Sequence, residues 1–331
     1  MTDKYMISII IPNYNGSKFI GRCIESVLSQ KEKRVEIIIV DDGSKDDSKS
    51  IIEKYRSQNN NIKPVYKENG GVSSARNEGI KHATGKYTLF LDSDDELEEN
   101  SLSVMLDNIG DNDELVFSYL LYDPETGTSV KKRQMETEVD GDTLRKKLFF
   151  YITRTQFASP WNKLIKTELL HNNNVCFPNG VKVGEDYIFN LRVTKFVEKV
   201  KFSNLFLYKY YENTSSVTHK LDMNRWKDQA LTVRETYSLS PERNEFESEF
   251  IVKRLYNTYM AFGYILNRKQ TVDVIKKYIN TAYKDIDISN VKGKLAYRIL
   301  VNMAEKKKYN LVYCYLWFID HMIRLKHRLN V

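Results

Sequence analysis

Four apolar runs, each about one buried strand long and each followed by a segment of helical spacing, fill the first third of the chain. The runs are residues 6–11, 35–40, 62–66 and 87–91. Residues 35–40 are β-branched almost throughout, as parallel strands buried on both faces are. Between and after them, residues 17–30, 46–55, 73–82 and 98–109 carry helical periodicity. In the first of these, Phe19, Ile20, Cys23, Ile24, Val27 and Leu28 share one side. Asp46 or Asp47 is expected to cap the second. This rhythm implies an α/β fold: a mostly parallel sheet flanked by helices on both faces.

The middle is less regular. Residues 115–122 read as a strand, a turn at Asp123-Pro124-Glu125-Thr126-Gly127 lets residues 129–133 pair back, residues 143–151 look helical, and residues 205–211 alternate as a strand. Beyond about residue 222 only helical segments remain, so a boundary is expected near 220. It divides a catalytic domain, 1–220, from an all-helical C-terminal region, 221–331, with an acceptor, oligomer or membrane-surface role.

Composition excludes several classes. With 14 glycines and 6 prolines in 331 residues, neither a disordered chain nor a collagen-like repeat is expected. The net charge of +7 is modest and lysine is spread widely, so no nucleic-acid partner is expected. Cys23, Cys176 and Cys314 are odd in number and lack metal-ligand spacing, which suits reduced thiols in a cytoplasmic protein. No stretch is apolar for the length of a membrane span. The apolar residues 311–319 followed by Arg324, Lys326 and Arg328 suit peripheral contact with an anionic membrane, or equally a helix packed on neighbours or on a second copy of the chain.

Acids close the strands, where open α/β sheets bind ligands. Asp41-Asp42-Gly43-Ser44 follows the second strand; Asp41 there can accept a base imide N–H or a ribose hydroxyl, while Asp42 and Ser44 can equally cap a helix. Pro12-Asn13-Tyr14 closes the first strand, with Pro12 expected to fix a loop holding an amide and a phenol for a base or ribose, or simply to make a turn. Asn69-Gly70-Gly71 precedes a helix whose free N–H groups form an anion site, with Arg76 adding charge to a diphosphate or bridging to a carboxylate. Asp92-Ser93-Asp94, with Asp95 beside it, matches D-x-D, an oxygen-ligand set suited to Mg²⁺ or Mn²⁺. Glu185-Asp186 follow Gly184; capping accounts for one acid and leaves the other as a base. Glycine-rich nucleotide fingerprints are absent.

Taken in order, Ser8-Ile9-Ile10-Ile11-Pro12-Asn13-Tyr14-Asn15, Val40-Asp41-Asp42-Gly43-Ser44, the segment from Asn69 to Asn77, Asp92-Ser93-Asp94-Asp95 and Gly184-Glu185-Asp186 resemble the family 2 glycosyltransferases of the GT-A, Rossmann-like fold, over about residues 5–220. The resemblance implies an inverting, metal-dependent transfer from a nucleotide sugar, UDP-linked by preference, to a glycan or polyprenyl-lipid acceptor in cell-surface polysaccharide synthesis, at the inner face of the plasma membrane. It implies that Pro12, Asn13, Tyr14, Asp41, Asp42, Arg76, Asp92 and Ser93 bind the donor, that Asp94 and His219 hold Mn²⁺ or Mg²⁺, that Asp186 is the catalytic base, and that Trp161, Asn162 and Glu185 meet the acceptor. For Trp161 a core position, and for His219 a plain surface position, are the alternatives. A sugar nucleotidyltransferase and a non-catalytic sugar-nucleotide-binding protein are the competing functions.

Overall fold

A computed structural model describes residues 5–212, 224–240 and 242–328. They form two compact units: one from the described parts of Met1–Thr143, Ala158–Val181 and Glu185–Ser216, the other from Leu144–Phe157, Lys182–Gly184 and the described part of Val217–Val331.

The first unit opens with β1 (Ile7–Asn13), α1 (Ile20–Leu28), β2 (Val35–Asp41), α2 (Ser48–Gln58), β3 (Ile62–Tyr66), α3 (Val72–His82) and β4 (Tyr87–Phe90). These strands pair in parallel in the order β3-β2-β1-β4. Every residue of β1 and β2 is buried, which is why both read as apolar runs rather than alternating ones. Asp47 makes no side-chain cap for α2; Asp46 instead accepts from the Ser48 N–H at 3.1 Å and the Ser17 N–H at 2.9 Å, tying α2 to the β1–α1 loop.

The sheet then changes character. After β5 (Glu96–Leu97) and α4 (Ser101–Ile109) come β6 (Glu114–Asp123), β7 (Thr128–Lys132) and β8 (Thr137–Asp140). Next α5 (Gly141–Lys146), whose first three residues belong to the first unit, is followed by α6 (Leu148–Arg154) in the second. Then β9 (Lys163–Lys166), α7 (Thr167–Asn172), α8 (Glu185–Phe196) and β10 (Lys199–Tyr211) complete the first unit. Strand β9 lies antiparallel between β4 and β6, and the full order is β3-β2-β1-β4-β9-β6-β10-β5, with β7 on β6 and β8 on β10. The sequence Lys163-Leu164-Ile165-Lys166 is too short to announce a central strand.

The second unit is helical: α9 (Arg225–Leu239), α10 (Glu247–Phe262), α11 (Arg268–Ala282), α12 (Leu295–Glu305) and α13 (Tyr309–Arg328) pack with α6. Phe149 of α6 meets Phe250 of α10 at 5.2 Å between ring centres. Asn267 and Gln270 close a capping box that starts α11. No helix among the described residues is long and apolar enough to cross a membrane.

Candidate active site

The carboxyl ends of β1, β2 and β4 lie side by side, so their terminal residues meet. Asn13 stands opposite Asp41 in register, and its Nδ2 donates to Asp41 Oδ1 at 2.8 Å and to Ser44 Oγ at 3.2 Å. Ser44 returns a hydroxyl bond to Asp41 Oδ1 at 2.5 Å and its N–H to Oδ2 at 3.2 Å. Asn13 Oδ1 is buried without a hydrogen-bond partner, an acceptor placed where a ligand N–H or hydroxyl would satisfy it. Gly16 makes room for that atom: a Cβ there would stand 2.3 Å from Asn13 Oδ1 and 3.3 Å from Ser93 Oγ. Tyr14 is 51% exposed beside this cluster.

Two expectations here are corrected. Pro12 does not fix a loop and offers no side chain to a pocket; it is a buried residue of β1 in register with Val40. Its missing N–H costs nothing, because the β1–β4 pairing ends at Ile10, two residues earlier. Asp42 caps no helix, the N-cap of α2 being Asp47, and is engaged by the protein's own groups. Its carboxylate is buried, ion-paired with Lys67 at 2.6 Å, and accepts the N–H groups of Gly70 at 3.0 Å and Gly71 at 2.7 Å. It ties down the glycine loop before α3, and those two donors are therefore spent on the protein's own carboxylate rather than on a bound anion.

The acidic turn after β4 is pinned by contacts to its backbone. Arg22 donates to the Asp94 carbonyl at 2.6 Å, the Asp92 N–H donates to Tyr208 Oη at 3.2 Å, and Cys23 Sγ lies 3.5 Å from the Asp92 carbonyl. Asp95 turns inward, accepting from Tyr208 Oη at 2.7 Å and the Tyr211 N–H at 2.8 Å. Burial, helped by the charges of Asp92 and Asp94, pushes the Asp95 carboxyl well up. Asp92, Ser93 and Asp94 remain half-buried. The turn does not cap α4, whose N-cap is Asn100. Tyr208 as the anchor escapes sequence reasoning, since nothing in its strand pattern marks it.

Asp186 reaches this edge through packing. Phe189, three residues along α8, sits on Phe90, the last residue of β4, at 5.5 Å between ring centres, with Phe177 on both. One turn of helix back from that contact puts Asp186 near Asp92, two residues past Phe90. Arg76 fills the space between them: Nη1 meets Asp186 Oδ1 at 2.5 Å and Nη2 meets Asp92 Oδ1 at 2.7 Å, while its guanidinium lies 5.2 Å from the Phe177 ring centre. Arg76 is 3% exposed and bridges the two carboxylates, the second of the two roles its sequence left open. Burial raises the Asp186 carboxyl above the ordinary range, opposed by Arg76 and reinforced by Asp92; burial and the neighbouring Asp186 raise Glu185 likewise. Among the described residues, the one side-chain hydrogen bond to the Asp186 carboxylate is that of Arg76, to Oδ1.

The acceptor expectation is half corrected. Trp161 is 6% exposed and stacks on Tyr208 at 4.6 Å and Tyr210 at 5.3 Å, so it belongs to the core. Asn162 is fully buried; Nδ2 lies 3.4 Å from the Phe117 carbonyl and Oδ1 accepts from Lys163 Nζ at 2.9 Å. Glu185 remains beside Asp186 at the start of α8. Lys163 was not anticipated: burial pulls its ammonium down to about 8, against the opposing charges of Glu114 and Asp186. His219 lies outside the described residues.

For a divalent cation, the described residues offer Asp94 as a half-buried carboxylate, and among them no group of three metal-ligating side chains converges. That donor set fits Mg²⁺ or Mn²⁺ bound by one carboxylate together with ligand phosphates and water, rather than a closed protein cage.

Known proteins share this framework. The sequence profile described as glycosyl transferase family 2 matches residues 8–172. The uncharacterized glycosyltransferase EpsJ of Bacillus subtilis (strain 168) is 33% identical over 225 residues, 64% of this chain and 63% of its own length. The putative glycosyltransferase EpsH of the same strain is 30% identical over 246 residues, 73% of this chain and 71% of its own. Among solved structures, S. aureus TarS 1–349 in complex with UDP-GlcNAc superimposes with a TM-score of 0.73 at 20% identity, over 96% of this chain and 92% of that one. The GT-A architecture expected from the sequence is thus the one observed.

Proposed function

This chain belongs to glycosyl transferase family 2, and from that premise we propose that it transfers a sugar from a UDP-sugar to a hydroxyl of a glycan or lipid-linked acceptor, with inversion at the anomeric carbon, in building a cell-surface polymer. Family membership sets aside the nucleotidyltransferase alternative. The likeness in fold to TarS, solved with UDP-GlcNAc, supports UDP as the carrier.

The observation that carries the reading is Asp186: a carboxylate with one oxygen fixed by Arg76 and a proton affinity raised toward neutrality. A hydroxyl is a poor nucleophile near pH 7, and a base acts best when its pKa lies near the working pH. Asp186 takes the acceptor proton as the hydroxyl oxygen bonds to the anomeric carbon and the bond to the diphosphate oxygen breaks on the opposite face. Arg76 holds Asp186 and Asp92 in one geometry, so the base needs no reorientation during attack. Asn13, through its unpaired Oδ1, and the Asp41–Ser44 pair orient the nucleoside. Asp94, with His219, would hold Mg²⁺ or Mn²⁺, which when bound offsets charge on the departing diphosphate.

The test is Asp186→Asn, assayed by UDP release and by donor-induced thermal shift. Turnover should fall by roughly a thousandfold or more while the donor still stabilises the fold. Near-normal turnover would remove Asp186 from the role of base.

A further inference from the structure

Helices α12 and α13 present an apolar face that no described residue of the helical unit covers. On α13, Val312, Leu316 and Asp320 are buried, and their spacing of four marks the inward side. The opposite side carries Leu311, Phe318, Met322 and Leu325, which are 48%, 57%, 52% and 50% exposed at spacings of seven, four and three. Tyr315 Oη donates to the Ala296 carbonyl, which joins α12 to this side of α13. There α12 adds Leu295, 70% exposed, and Ile299, 42% exposed. Trp317, an amphipathic ring favoured at lipid–water boundaries, is 45% exposed on the same helix.

The charge on these helices decides what can cover them. From Val291 to the end the sequence has nine lysines and arginines against two acids, an excess of seven. The excess for the whole chain is also seven, so the preceding 290 residues are electrically balanced. Lys306, Lys307 and Lys308 are exposed where α12 turns into α13. After Glu305 the one acid is Asp320, and it is turned inward to the hydroxyls of Tyr256 and Tyr264 and to Arg324. A second copy of the chain would set this positive surface against itself, and like-charge juxtaposition opposes docking. An anionic bilayer matches both the apolar stripe and the charge.

We propose that α12 and α13 form a peripheral membrane-docking surface for anionic phospholipid, with the Leu311–Leu325 stripe seated at the headgroup–acyl boundary and the lysines at headgroup level. The two helices lie on the bilayer and do not span it. This inference is independent of the glycosyl-transfer reading, and its test uses no sugar substrate.

The full chain would be floated with phosphatidylcholine vesicles and with vesicles containing about 30% phosphatidylglycerol, with salt raised to about 0.5 M as a third arm. Partition onto anionic vesicles should exceed that onto neutral ones by roughly tenfold and fall severalfold in salt. F318S/M322S and K306E/K307E/K308E alter exposed residues and should each reduce binding by roughly fivefold or more, with the thermal melt unchanged. Should either variant melt early, the unaltered chain still decides, through its preference for anionic over neutral vesicles and the loss of that preference in salt. No flotation, equal flotation with neutral vesicles, or variants binding like the original would overturn the proposal. So would sedimentation equilibrium showing a dimer that F318S/M322S dissolves, since a second copy would then cover this face.

Discussion

Replacing Arg76 with methionine tests the electrostatic design of the site, because the side chain keeps its length and loses its charge. The guanidinium lies 2.5 Å from Asp186 and 2.7 Å from Asp92, almost fully buried. At a charge separation of about 4 Å and an effective dielectric of about 20, each attraction amounts to about 4 kcal/mol. Leaving two facing carboxylates without their shared partner should cost about 3–5 kcal/mol of folding stability where both are ionised. The cost should depend on pH in one direction. Loss of the positive charge raises the Asp186 carboxyl further above its already elevated value, because Arg76 is the largest charge opposing the effect of burial there. A carboxyl whose folded value exceeds its unfolded one destabilises the fold when ionised, so the deficit is largest above the raised value and shrinks as pH falls through it. Urea melts at about pH 9 and about pH 6 should therefore show a deficit that narrows by at least about 1 kcal/mol at the lower pH. The acidic limb of the rate profile should move to higher pH, and Arg76→Lys should fall between the two. An equal deficit at both pH values, with an unmoved acidic limb, would refute the argument that Arg76 sets the charge state of Asp186.

Three further outcomes are expected. Asp42→Ala should destabilise the chain by about 2–4 kcal/mol, measured by urea unfolding, because Lys67 and the Gly70 and Gly71 N–H groups lose their common acceptor. Gly79→Ala should cost about 1–3 kcal/mol in the same measurement, since the new methyl would meet Ile10 Cγ2 at 2.3 Å where α3 crosses β1. Asp94→Asn should remove the dependence of turnover on added Mn²⁺ and leave the thermal melt within about 1 kcal/mol of the original, its side chain being half-buried rather than core; titration of UDP release with metal would check this.

Much of the fold was legible because its signals are local. The runs 6–11, 35–40 and 87–91 declare buried strands through β-branched and aromatic content alone, and acids closing such strands are set at the ligand edge by topology. The nearness of Asn13, Asp41 and Asp92 along one sheet edge followed from that, whereas Asp186, at the start of α8, came beside Asp92 only through the packing of Phe189 on Phe90. Which acid does what was not legible. Asp41 and Asp42 are neighbours in sequence, yet one points to Asn13 and Ser44 and the other to Lys67 and a glycine loop. Asp94 and Asp95 divide likewise, the second claimed by Tyr208, 113 residues away. For Trp161 the sequence left acceptor contact and a core position both open, and the place of β9 between β4 and β6 decides for the core, with Asn162 buried beside it. The rhythm of strands and helices is written in periodicity, which depends on neighbours a few residues apart. The role of a charged side chain depends on which distant groups share its low-dielectric surroundings, as Arg76 does with an aspartate 110 positions later, and only the folded chain brings those groups within reach.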